Sequence, residues 1–95
     1  MNKLLISESD KKILEKILTK YPYQFYAYGS RVKGTAHELS DLDICYFADI
    51  DHKIIFNIKE ELAESDLPFV VELVKWSNMR PFFQESINND LVRFF

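Results

Sequence analysis

Between Ser7 and Tyr21, the apolar residues Ile13, Leu14, Ile17, Leu18 and Tyr21 recur at helical spacing, while Lys11, Lys12, Glu15, Lys16 and Lys20 occupy the other side. This pattern predicts an amphipathic first helix. Ser7 is placed to cap it, with Asp10 three residues on and acidic groups where the helix dipole favours them. Tyr21-Pro22 ends it, and the aromatic run from Tyr23 to Tyr28 reads as a first strand that stops at Gly29. Ser30 to Lys33 leaves room for about one helical turn, with Gly34 available as a left-handed terminator. Thr35 to Ser40 is polar loop.

A second strand is predicted over Leu42–Phe47, where alternation sends Leu42, Ile44 and Tyr46 to the core and Asp41 and Asp43 to the opposite face. Asp49-Ile50-Asp51 leads into a second amphipathic helix, striped by Ile54, Ile55, Ile58 and Leu62, that breaks at Ser65-Asp66-Leu67-Pro68. Phe69 to Val74 forms a β-branched third strand interrupted by one carboxylate, Glu72. Ser77-Asn78 is expected to cap a last helix with Pro81 in its first turn and Phe82, Phe83 and Ile87 on its apolar side. Asn88-Asn89-Asp90 turns the chain, and Leu91 to Phe95 could add an edge strand. The pattern predicts one α/β domain over residues 1–95, a small mixed sheet packed by helices.

Composition supports a folded core: 47% of residues are apolar and 15% aromatic, above the level at which chains stay disordered. One cysteine excludes an intramolecular disulfide, and two isolated histidines give no zinc spacing. These features fit a reducing, cytoplasmic setting. No apolar window approaches a membrane span, and the N-terminus is too short in apolar residues for a signal peptide. The net charge of −3 and the lack of a basic block argue against extended nucleic-acid contact. They leave a nucleotide open, since metal ions can offset the repulsion.

Candidate chemistry concentrates in residues 29–43. Gly29 and Ser30 can turn the backbone so that amides and a hydroxyl face outward, as a bound phosphate requires. Asp41 and Asp43 leave the same strand face, and two oxygen ligands on one face suit magnesium. Glu72 is the third carboxylate held near an otherwise apolar sheet, where an unpaired charge is costly and metal coordination can keep it ionised. If the second and third strands are neighbours, Asp41, Asp43 and Glu72 converge, and the trio could bridge a pair of divalent ions about 4 Å apart. Arg31 and Ser40 could contact phosphate, or could serve only the turn. His37 and His52 read as solvated loop residues, and Cys45 as a small buried thiol.

Gly29-Ser30, ten intervening residues, then Asp41-Leu42-Asp43 resembles the Gly-Ser-x10-Asp-x-Asp signature of the DNA polymerase β nucleotidyltransferase superfamily. Chance would produce it about once in a thousand chains of this length, so coincidence is a poor explanation. The small size, the Gly-Ser-Arg-x-x-Gly form and the late strand carboxylate resemble the minimal nucleotidyltransferases of the MntA type. This resemblance implies a palm-like fold, ATP as substrate, two magnesium ions and transfer of AMP to a tyrosine of a HEPN-domain toxin, for which the protein is antitoxin. By motif, Gly29 and Ser30 map to nucleotide binding, Asp41 and Asp43 to magnesium, and Glu72 to the third acidic position. An aspartate is common at that position, and Glu is one methylene longer.

The short chain leaves no room for an acceptor domain, which points to a protein acceptor and to a homo- or hetero-oligomer. It predicts an interaction surface among Tyr21, Tyr23, Trp76, Phe82, Phe83, Phe94 and Phe95. Two other readings of the residues are a non-catalytic binding antitoxin with a relic metal site and a small-molecule nucleotidyltransferase acting on an antibiotic.

Overall fold

The computed structural model describes residues 4–37 and 39–94. Helix α1 spans Glu8–Leu18, and the Ser7 hydroxyl accepts from the Asp10 N–H at 3.2 Å, as its capping role requires. Strand β1 spans Tyr26–Tyr28, α2 Ser30–Lys33, β2 Leu42–Tyr46, α3 His52–Glu64, β3 Val71–Lys75, α4 Pro81–Ile87 and β4 Val92–Arg93. The four strands form one mixed sheet in the order β3-β2-β1-β4. β1 is antiparallel to both β2 and β4, whereas β2 and β3 run parallel.

The sheet divides the interior in two. On one face, α1 contributes Leu14, Ile17 and Leu18 and α3 contributes Ile58 and Leu62, which pack on Ala27, Leu42, Ile44, Tyr46 and Leu73. Burial of these side chains supplies most of the driving force for folding. On the other face a smaller cluster gathers Tyr28, Cys45, Met79 and Ile87, with Tyr26, Val74, Trp76 and Leu91 against it. That second face is only partly covered by α4. It is also the face to which alternation sends Asp43.

Several boundaries differ from the sequence reading. β1 starts at Tyr26 rather than Tyr23, and Phe25 drops into the core while its carbonyl accepts from the Phe94 N–H at 2.9 Å. β3 starts at Val71, two residues later than expected, because its ladder begins where β2 begins, at Leu42. Ser77 and Asn78 do not cap α4. They lie in a 3-10 turn over Trp76–Asn78, and Arg80 occupies the cap position with Pro81 as first helical residue. The proline's fixed φ and missing donor suit that first position, so it decides where the helix begins. Asn88–Asp90 forms a second 3-10 turn, and the edge strand expected over residues 91–95 is the shorter β4.

Candidate active site

The two ends of the 29–43 stretch meet. Gly29 has φ 84° and ψ −152°, a combination reserved for glycine. A Cβ built there would lie 2.5 Å from Asp43 Oδ2, so the absent side chain makes room for the carboxylate. The Gly29 carbonyl accepts from the Val32 and Lys33 N–H groups at 3.0 and 3.1 Å, which starts α2 immediately after the strand. Gly34, with φ 83°, closes the turn by donating to the Ser30 carbonyl at 3.1 Å. The hydroxyl of Ser30 has no hydrogen-bond partner among the described residues, which leaves it available to a ligand.

Register then lines up three side chains. Tyr28 pairs with Asp43 and Asp43 with Glu72, so one row crosses β1, β2 and β3 on the same face at steps of about 5 Å. Burial raises the Asp43 pKa above the usual carboxylate value, and repulsion from Asp41 and Glu72 adds to it. Tyr28 is pushed up to about 12, first by burial and then by Asp43, Cys45 and Glu72. Asp43 thus lies within electrostatic reach of both Asp41 and Glu72. Asp41 and Glu72 are exposed at the rim of this row. Among the described residues, no three His, Cys, Asp or Glu side chains are drawn together tightly enough to cage an ion unaided.

Arg31 and Ser40 are placed otherwise than a phosphate contact needs. Arg31 is 5% exposed, and its guanidinium stacks 4.1 Å from the Phe69 ring centroid, on the side of the first core cluster. Its Nε and Nη2 donate to the Ser40 carbonyl at 2.9 and 2.8 Å, and its Nη1 donates to the Leu5 carbonyl at 2.9 Å. A planar five-donor fork is suited to gathering several carbonyls at once. The Ser40 hydroxyl accepts from the His37 N–H at 2.9 Å and closes the turn before Asp41. Arg31 and Ser40 therefore set the path of the loop that delivers Asp41.

Tyr28 is the residue that sequence reasoning missed. Its signal is positional: it is the last strand residue before Gly29, which in this hairpin falls opposite Asp43. The expected aromatic surface also changes. Phe94 is buried in the first core cluster, with Tyr21 and Tyr23 packed against it, and Phe95 lies outside the described residues. Phe82 and Phe83 are exposed, and Phe47, 46% exposed, joins them on the second face. There Phe47 stacks on Tyr26 at 5.3 Å and meets Trp76 edge-on at 4.9 Å, and Phe83 meets Tyr28 edge-on at 5.9 Å.

Known proteins resemble this chain in sequence and in fold. The family model described as Polymerase beta, Nucleotidyltransferase matches residues 11–94. A Haemophilus influenzae protein named probable protein adenylyltransferase MntA is 38% identical over 84 residues, which cover 86% of this chain and 72% of the relative. Among solved structures, a crystal structure of a toxin-antitoxin with AMP-PNP superposes with a TM-score of 0.67 at 24% identity, covering 90% of this chain and 72% of the other. That structural likeness concerns the fold. From the span of the family match and the identity with that relative, the chain belongs to the polymerase beta nucleotidyltransferase family.

Proposed function

We propose that this chain transfers AMP from ATP, with magnesium, to a hydroxyl of a partner protein, and that it acts as antitoxin to a HEPN-domain toxin. The observation that carries the reading is the row Tyr28–Asp43–Glu72, with Gly29 shaped around the Asp43 carboxylate and Ser30 beside it. The adenylyl group and the protein acceptor are supported by the 38% identical relative, whose name specifies protein adenylyl transfer. The HEPN partner is supported by the resemblance to the MntA type.

The donor set fits magnesium. Asp41, Asp43 and Glu72 offer only oxygen, and burial, with repulsion from Asp41 and Glu72 added to it, raises the Asp43 pKa, a cost that a bound cation relieves. Magnesium in nucleotide sites takes one or two carboxylates and completes its shell with phosphate and water, so a spread row suits it better than a closed cage. When bound, the metal would offset phosphate charge and polarise the α-phosphoryl group. Asp41, Asp43 and Glu72 would hold the magnesium, for which two ions are expected.

The chain's own residues perform the remaining tasks. Ser30 and the adjoining turn hold the outer phosphates, which become pyrophosphate. Gly29 fixes where the Asp43 carboxylate stands. Glu72, one strand further, takes the proton of the incoming hydroxyl. The acceptor oxygen bonds to the α-phosphorus as the bond from that phosphorus to the pyrophosphate oxygen breaks. Alignment and charge stabilisation supply most of the rate.

The test is to incubate the purified protein with Mg²⁺, ATP and the product of the neighbouring reading frame. Mass spectrometry should show one added AMP, lost in the Asp41→Ala/Asp43→Ala variant. No adduct, with equal toxin neutralisation by that variant, would establish neutralisation by contact instead.

A further inference from the structure

Resting on the reading above, we infer that the acceptor protein docks as an added strand along the free edge of β3, through an extended, basic segment that carries the hydroxyl. The layout of the site sets the direction of approach. Ser30 follows β1, Asp43 stands on β2 and Glu72 on β3, with β2 between the other two. Phosphoryl-type displacement keeps attacking and leaving oxygens roughly in line. With pyrophosphate leaving on the Ser30 side, the attacking hydroxyl arrives over β3, which is an edge of the sheet.

That edge is prepared for pairing. The Leu42 N–H donates to the Val70 carbonyl at 2.9 Å, which in a parallel ladder turns residues 70, 72 and 74 inward and Val71, Leu73 and Lys75 outward. Among the described residues nothing pairs with those outward backbone groups. A residue added opposite Glu72 sends its side chain to the Glu72 and Asp43 face, because the alternation of an added strand follows that of its neighbour. Val70 is 60% exposed at the head of this edge. Beside it a cavity of about 480 Å³ is lined by Lys59, Leu67, Phe69, Val70 and Val71 and shares Asp41 with the carboxylate row. It gives an apolar side chain of the same segment a place to enter.

Charge selects the occupant. Asp41 and Glu72 at the rim, and Glu64 and Asp66 on the approach to β3, are all exposed and outweigh the exposed Lys59 that lines the cavity. Lys75 at the far end is tied to Asp49. An acidic edge of this kind attracts a Lys- or Arg-rich segment and repels a second copy of itself.

Amide hydrogen exchange on the complex with the product of the neighbouring reading frame tests this, using wild type and Asp41→Ala/Asp43→Ala. The inference expects the Val71, Leu73 and Lys75 amides to exchange about tenfold or more slowly in both complexes. On the partner, the protected segment should be basic and contain the AMP-accepting hydroxyl. Edge protection without any AMP transfer would sustain the docking mode and overturn the proposed activity. Transfer of AMP without edge protection would overturn the docking mode alone. Failure to form a complex, or edge protection already present in the isolated protein and rising with its concentration, would also overturn it.

Discussion

Gly29→Ala perturbs the one residue whose missing side chain shapes the site. At φ 84° and ψ −152° an alanine is strained, at about 1–3 kcal/mol. For a domain of this size that lowers Tm by about 4–8 °C per kcal/mol. The new Cβ also falls 2.5 Å from Asp43 Oδ2, and contacts below 3.0 Å do not persist, so the carboxylate must retreat by at least the difference, 0.5 Å. Displacement of a reacting group by up to about 1 Å can cost on the order of a hundredfold in rate. The assay pairs thermal unfolding with AMP transfer measured well below Tm. The expected result is a lower Tm and a rate loss beyond the unfolded fraction. A Gly29→Ala/Asp43→Ala variant should recover the contact part of the stability loss and keep the backbone part. An unchanged Tm and rate for Gly29→Ala would refute the claim that Gly29 positions Asp43.

Asp43→Asn should raise stability at neutral pH while abolishing transfer. The Asp43 pKa is higher folded than unfolded, so the native state binds the extra proton, and ionisation costs stability as pH rises from about the ordinary carboxylate value of 3.8 through the folded value. A flat difference in Tm between the two proteins from acid to neutral pH would contradict this. Arg31→Lys should lose about 2–4 kcal/mol in denaturant unfolding, because an ammonium cannot serve the Leu5 and Ser40 carbonyls together and stack on Phe69. Loss of nucleotide affinity at unchanged stability would instead make Arg31 a phosphate ligand. Cys45 is buried and its thiol is pushed up to about 11, so at pH 8 a thiol reagent should label it only on unfolding. Rapid labelling of the native protein would place it at an accessible surface.

The carboxylates were legible because strand alternation is local: Leu42, Ile44 and Tyr46 are core, and Asp43 faces the other way. The single turn Ser30–Lys33 was legible for the same reason, since Gly34 punctuates it. Bringing Asp43 beside Glu72 required only that β2 and β3 be neighbours, which the sheet order provides. Arg31 was not legible, because its carbonyl partners Leu5 and Ser40 lie 26 and 9 residues away and only the tertiary fold collects them. Phe94 looked like a surface aromatic but is core, since β4 pairs with β1 and carries the chain past Phe25. Tyr28 was hidden by its neighbours: among so many aromatic residues, only the register with β2 singles it out.

The reaction itself is tested most directly by following the label from ATP labelled at the α-phosphate or at the γ-phosphate, in the presence of Mg²⁺ and the product of the neighbouring reading frame. Nucleotidyl transfer through Asp41, Asp43 and Glu72 predicts label on the partner from α-labelled ATP only, with the γ-label released in pyrophosphate and no transfer by Asp41→Ala/Asp43→Ala. Label arriving from the γ-phosphate, or α-label transferred equally well by the double variant, would contradict it.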